Sequence, residues 1–253
     1  MLGLLLLGIP PSTVTAAVVP VRFVEGVLHG FLVLRTVDGA QVAQGDLLQV
    51  AKPGGVEGHS VFRFDDGSLF DETVVFTQQR VFTMQRYRLV QRGPAFAADT
   101  EIELDRAAST YRVKTTDHKT GSVKAIDGKL ELPPDVYNGM IFAVTKNLSK
   151  GATETVHLVA FTPEPRLIEL QIAPANEQKV VVGKLDKVAL HYVLKPVLGA
   201  WLTLFATIFG RVPPDEDVWI IKDEVPAFAR FEGPLYMGGP VWRLELTSPR
   251  WPG

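Results

Sequence analysis

Ser60-Val61-Phe62-Arg63-Phe64-Asp65-Asp66-Gly67-Ser68-Leu69-Phe70-Asp71-Glu72-Thr73-Val74-Val75-Phe76-Thr77 reads as two strands turned back on each other at Asp66-Gly67. An Asp-Gly pair tolerates the positive φ angles of a tight hairpin, and here apolar or alternating runs flank it. The same signal recurs at Asp38-Gly39 and Asp127-Gly128. Each Asp reads as a turn residue rather than a ligand.

Strand signals continue on both sides. Upstream, residues 21–36 predict a long strand bent at Gly26 or Gly30, and residues 41–51 a second. Downstream, 81–91, 101–104, 110–115, 122–126 and 129–132 predict a meander. Along 81–91 the apolar set does not stay in one phase: Phe82 and Met84 lead to Arg86 and Arg88, while Tyr87 and Leu89 fall on the other face. A long twisting strand that passes between two environments explains this. Strands resume at 154–161, 166–172, 179–184, 187–195, 217–222, 228–231 and 241–247.

One helix interrupts. Pro133-Pro134-Asp135 is a start signal, with Asp135 placed to cap free amides. Val136, Tyr137, Met140, Ile141, Val144 and Leu148 then share a face at helical spacing. Gly139 costs about 1 kcal/mol relative to Ala, and the helix is expected to stop near Asn147.

About fifteen strands and one main helix, with no internal repeat or linker, predict a mainly β fold: one antiparallel, highly curved sheet, an open or closed barrel, with the helix packed against it. The domain layout is a signal peptide over residues 1–17 and a single β-rich domain over 18–253. Residues 1–17 carry no charged side chain, and Pro10-Pro11 breaks the apolar run. Small residues at Thr15-Ala16-Ala17 predict cleavage near Ala16 or Ala17, although the usual basic start is missing. The expectation is a bacterial periplasmic or secreted protein.

Composition excludes several chemistries. With no cysteine there is no disulfide, zinc-thiolate site, thiol nucleophile or lipidation Cys. A formal charge of −2 and a pI near 6.2 give no reason to expect nucleic-acid binding. No G-x-S-x-G, H-E-x-x-H, P-loop or strand-borne G-x-G-x-x-G occurs. The acidic group Asp65, Asp66, Asp71 and Glu72 lacks the spacing of a calcium loop, and Asp71 and Glu72 point to opposite faces of their strand. Asp215-Glu216-Asp217 reads as a polar loop leading into a strand. No cofactor or metal is expected.

The remaining opportunity is a ligand cavity. In 187–195, Val188, Leu190, Tyr192 and Leu194 alternate with Ala189, His191, Val193 and Lys195. The first set is core; the second carries His191 and Lys195 and is a candidate wall for a concave surface. Trp219 and Trp242 stand as core or cavity wall. The stretch 197–209 has no charge and is too short for the ~20 residues that span a bilayer. It reads as buried core, helix or strand, or as a lid over a cavity presenting Trp201 and Phe205. No other segment spans a membrane.

The export segment, the Phe64-Asp65-Asp66-Gly67-Ser68 hairpin, Asp217-Val218-Trp219-Ile220 and Pro226-Ala227-Phe228 together resemble uncharacterised secreted bacterial proteins. Their curved antiparallel half-barrel is similar to that of periplasmic lipoprotein carriers. The resemblance implies a fold and a compartment and carries no catalytic residue. The leading expectation is a non-enzymatic protein binding a lipid or acyl chain, with His191, Lys195, Trp201, Phe205 and Trp219 as candidate contacts. Two alternatives stand beside it. One is a structural or interaction module of the envelope. The other is a hydrolase, which needs His191 or His157 within reach of a carboxylate and a nucleophile.

Overall fold

The computed structural model describes residues 18–162, 164–197, 210 and 213–247. The expected export segment, and the stretch 198–209 with Trp201 and Phe205, lie outside the described residues.

Alternating side chains and tight turns produce fourteen strands. The first arm is β1 (Leu28–Thr36), β2 (Gln41–Lys52), β3 (Gly55–Phe64), β4 (Leu69–Gln78), β5 (Phe82–Arg92), β6 (Ala98–Asp105), β7 (Thr110–Asp117) and β8 (Val123–Lys129). The second is β9 (Glu154–Thr162), β10 (Glu164–Val182), β11 (Leu185–Pro196), β12 (Glu216–Ile221), β13 (Ala227–Gly233) and β14 (Trp242–Thr247). Between the arms lies one helix, α1 (Ile141–Asn147). All strands join one antiparallel sheet in the order β8-β7-β6-β5-β4-β3-β2-β1-β14-β13-β12-β11-β10-β9. β8 and β9 end the sheet without pairing to each other, so the sheet is not closed into a barrel and the closed alternative is excluded.

The Asp38-Gly39 and Asp66-Gly67 hairpins form as expected, with the Gly39 and Gly67 amides donating to Thr36 and Phe64 carbonyls at 3.0 Å. Asp127-Gly128 does not turn: both residues lie inside β8. A Cβ at Gly128 would lie 2.8 Å from the Tyr111 ring, so the glycine serves close approach of β7 and β8. Residues 166–172 and 179–184 fuse into the single strand β10, irregular between Pro174 and Glu177. The phase change in β5 is a bulge. The register against β4 shifts between Val75 and Phe76, pairing Val75 with Arg86 but Phe76 with Met84. One extra residue turns Phe82 and Met84, and then Tyr87 and Leu89, to the same inner face.

The inner face carries one large apolar cluster, with Leu34, Phe62, Phe76, Phe82, Met84 and Leu194 among its least exposed members. Burying a side chain of this kind contributes about 1.5–3 kcal/mol. The helix is shorter than its apolar spacing suggests. Gly139 adopts φ +70°, against Val74 and Tyr87, and this breaks any helix before Met140. Asp135 caps nothing. Its segment instead runs along the open edge of β9: His157 donates to the Asp135 carbonyl at 2.9 Å and Tyr137 to the His157 carbonyl at 3.0 Å. Asn138 completes the edge with its side-chain amide, bonding the Val159 carbonyl and amide at 2.9 and 2.8 Å. At the other edge, β8 presents Lys124, Asp127 and Lys129, charges that discourage strand addition.

Residues 18–27 do not extend β1, as the sequence suggested. They form a separate strap joined to 80–82 by the Pro20–Val81 bridge. The fully buried Asn147 at the end of α1 accepts from the Arg22 and Phe23 amides at 2.8 and 2.7 Å. Buried Glu25 pairs with Lys146 at 2.6 Å and accepts from Gln49 at 2.8 Å. These side-chain partners hold residues 22–25 off the line of β1. Asn147→Leu removes the acceptor of two part-buried amides and is expected to lower unfolding free energy by about 1–3 kcal/mol in urea titration. Hydrogen exchange at residues 22 and 23 should quicken with it.

Candidate functional site

The gap between the two arms leaves a cavity of about 650 Å³. Its floor is the inner face of β5 to β8. Because register aligns these strands, side chains stand in rows across them. Leu89, Ile102, Val113 and Ile126 are direct cross-strand neighbours in sequence, and all four line the cavity. Two residues along each strand, Gln91, Thr100, Thr115 and Lys124 form a second row, also lining it. Strands lie about 4.8 Å apart, so each row runs roughly 14 Å. An apolar rung and a polar rung therefore lie side by side. Leu158, Phe161 and Ile168 of the second arm face them, with Leu235 and Tyr236 at one end.

The polar rung is not saturated internally. Gln91 is 5% exposed, and its Nε2 has no hydrogen-bond partner among the described residues. Such a buried orphan donor costs about 1–3 kcal/mol unless something else accepts from it. The Lys124 ammonium at the mouth is exposed and has no carboxylate partner among the described residues. Lys52, Lys146, Lys187, Lys195 and Lys222 each have one, while Lys114, Lys119, Lys129, Lys150, Lys179 and Lys184 share the lack of one; what sets Lys124 apart is that it lines the cavity.

Two carboxyls point inward. Glu216 lines the cavity, since Val218 and Ile220 on the same face of β12 belong to the core. Burial pushes its carboxyl up to about 8, and the neighbouring Asp217 charge adds to the shift. Glu72 sits on the inner face of β4 and accepts from the Tyr87 hydroxyl at 2.9 Å. Burial raises the Glu72 carboxyl, opposed by that hydrogen bond; burial also raises the Tyr87 phenol, reinforced by the Glu72 charge.

The residues singled out in sequence lie elsewhere. His191, Lys195 and Trp219 alternate with the core members Tyr192, Leu194, Val218 and Ile220, and so occupy the sheet's outer face. There His191 stacks on Trp219 with centroids 4.7 Å apart and planes at 8°. Its Nε2 lies 2.6 Å from Asp217, and Trp219 Nε1 donates to Gln178 at 2.9 Å. The Arg230 guanidinium lies 5.2 Å from the Trp219 ring centroid. Lys195 pairs with Asp215 at 3.3 Å. Trp242 belongs to the core, against Phe64 at 5.4 Å. The outer-face groups pair with one another and do not line the cavity.

Every histidine has an aspartate partner: His29–Asp46, His59–Asp71, His118–Asp99, His157–Asp135 and His191–Asp217, at 2.6–3.1 Å. His157 and His191 thus meet the carboxylate half of the hydrolase requirement. Among the described residues no hydroxyl is hydrogen-bonded to either ring. No group of three potential metal ligands occurs among them, and no helix of the described residues is long and apolar enough to cross a membrane.

Gln91, Thr100, Thr115, Lys124 and Glu216 were not apparent as a site in sequence. The available signal is a polar residue two positions from an apolar one on each of four successive strands, and reading it requires the register. Compared with protein-family models, curated proteins and solved structures, the chain matches none.

The raised Glu216 carboxyl has a definite effect on stability. Between its ordinary value of 4.5 and its folded value of about 8, the folded state holds a proton that the unfolded chain releases. The contribution is fully present below 4.5 and is lost as pH rises through about 8. Glu216→Gln is expected to flatten this loss, seen as a smaller drop in urea midpoint between about pH 5 and about pH 9.

Proposed function

We propose that this protein is a non-enzymatic carrier that holds an apolar or amphipathic, lipid-like ligand inside the open half-barrel. The observation that carries this reading is the cavity: about 650 Å³, within the roughly 300–1,000 Å³ of small-molecule sites, mainly apolar and with few polar groups. Closing such a sheet would fill its interior with side chains; leaving it open keeps Leu89, Ile102 and Val113 beside unfilled space. An acyl chain on these residues gains the same burial that drives core formation. The composition of residues 1–17 supports export to a bacterial periplasm or medium, where a carrier of water-insoluble molecules has a use.

Native mass spectrometry of protein purified from its own host tests the reading, together with titration by the neutral fluorophore N-phenyl-1-naphthylamine. Expected are an adduct of lipid mass and saturable fluorophore binding. Ala98→Trp, which places an indole in the cavity, should weaken the fluorophore at least about tenfold, or 1.4 kcal/mol. Trp219→Leu on the outer face should lower stability by about 2–4 kcal/mol and leave fluorophore binding unchanged. A clean apo mass with no saturable binding overturns the proposal.

A further inference from the structure

We propose that the cavity selects amphiphiles with a compact oxyanion head, seating that head on Gln91, Thr100, Thr115 and Lys124 and the tail on Leu89, Ile102, Val113 and Ile126. This rests on the carrier reading above and adds the head chemistry and the orientation to it.

Three observations point to the head. First, the polar rung offers donors in sequence: the Gln91 amide, the Thr115 hydroxyl and the Lys124 ammonium, with the Thr100 hydroxyl between them on a long 3.5 Å bond to the Ala98 carbonyl that a ligand oxygen can replace. Neighbouring positions lie about 4.8 Å apart, so one carboxylate or phosphate can accept from two of them at once. Second, the buried Gln91 Nε2 lacks an acceptor among the described residues and lines the cavity; a ligand oxygen supplies one. Third, Lys124 is a cation at the mouth without an anion. A charged donor strengthens a hydrogen bond to an oxyanion and discriminates against neutral or cationic heads. Glu216 does not oppose an anion at neutral pH, because its carboxyl stays protonated up to about 8.

Orientation follows from the pleat. The two rungs are parallel and one pleat apart, so an amphiphile whose head occupies the polar rung can lay its first methylenes across the apolar one. The tail then runs toward Leu158 and Phe161 on the second arm. A neutral alcohol of equal tail length keeps the apolar contacts and loses the charge-assisted ones.

The test is displacement of N-phenyl-1-naphthylamine by four amphiphiles with the same twelve-carbon tail: dodecanoate, dodecyl phosphate, dodecanol and dodecyltrimethylammonium. Expected is binding of both anions about tenfold tighter than dodecanol, with the ammonium weakest; the tighter anion identifies carboxylate or phosphate as the head. Lys124→Met, on an exposed edge strand, should remove most of the anion advantage and leave dodecanol unchanged. Gln91→Leu should reduce the advantage several-fold and leave dodecanol equal or tighter. Equal affinity of anions and dodecanol in the wild type, or an anion advantage untouched by Lys124→Met, overturns the head assignment while the carrier reading stands. Failure of all four to displace the fluorophore overturns the carrier reading itself.

Discussion

Backbone pairing between β1 and β14 is the constraint on which the remaining architecture depends. Six residues of β1, Phe31 to Thr36, pair in register with Thr247 to Trp242. Every other neighbouring pair in the sheet joins strands consecutive in sequence. This seam alone closes a loop of nearly the whole described chain, and it must outweigh the entropy of doing so. Leu32 and Leu34 meet Leu246 and Leu244 across it on the core side. On the outer side Arg35 reaches Glu245 at 3.5 Å, and Glu245 also holds Arg230 at 3.2 Å. With the seam placed here, the two free ends of the sheet fall at β8 and β9.

An open end exposes both backbone groups and interior surface, and the two are handled differently. The Asp135–Asn138 segment covers the β9 edge, while β8 relies on charge. The strap at 18–27 and α1 plug one part of the interior, tied by Asn147 and by the Glu25–Lys146 pair. Phe142 stacks on Phe228 at 4.2 Å, fixing the helix against β13. The part left unplugged is the cavity. Along its floor an apolar row and a polar row, the latter holding the unpartnered Gln91 amide, run together through four strands.

Local signals were legible where one residue decides the backbone. The Asp38-Gly39 and Asp66-Gly67 turns and the stop near Asn147 appear as read; the alternation of 187–195 holds at Leu190, Tyr192 and Leu194, whereas Val188 is exposed and Ala189 is buried in a smaller outer cluster. Errors arose where a tertiary contact reassigns a locally ambiguous residue. Helical spacing over 136–148 is real, yet Gly139 at positive φ and the pull of the β9 edge convert its first half to extended chain. Gly128 marks a close approach to Tyr111 rather than a turn. The blurred alternation in β5 records a bulge, which single-strand periodicity cannot separate from twist. His191 and Trp219 were conspicuous as residue types, but on the outer face they stack on each other and bind Asp217 and Gln178.

By itself the sequence determined the strand content, most turns, the absence of thiol chemistry and the alternation that separates two faces of the sheet. These depend on residues close together in the chain, whose φ preferences and period-two pattern act locally. Tertiary structure alone decided that the sheet stays open and where. It also decided that Gln91, Thr100, Thr115 and Lys124 form one row, and that each histidine meets an aspartate. These are properties of register between strands, set by packing across the whole sheet.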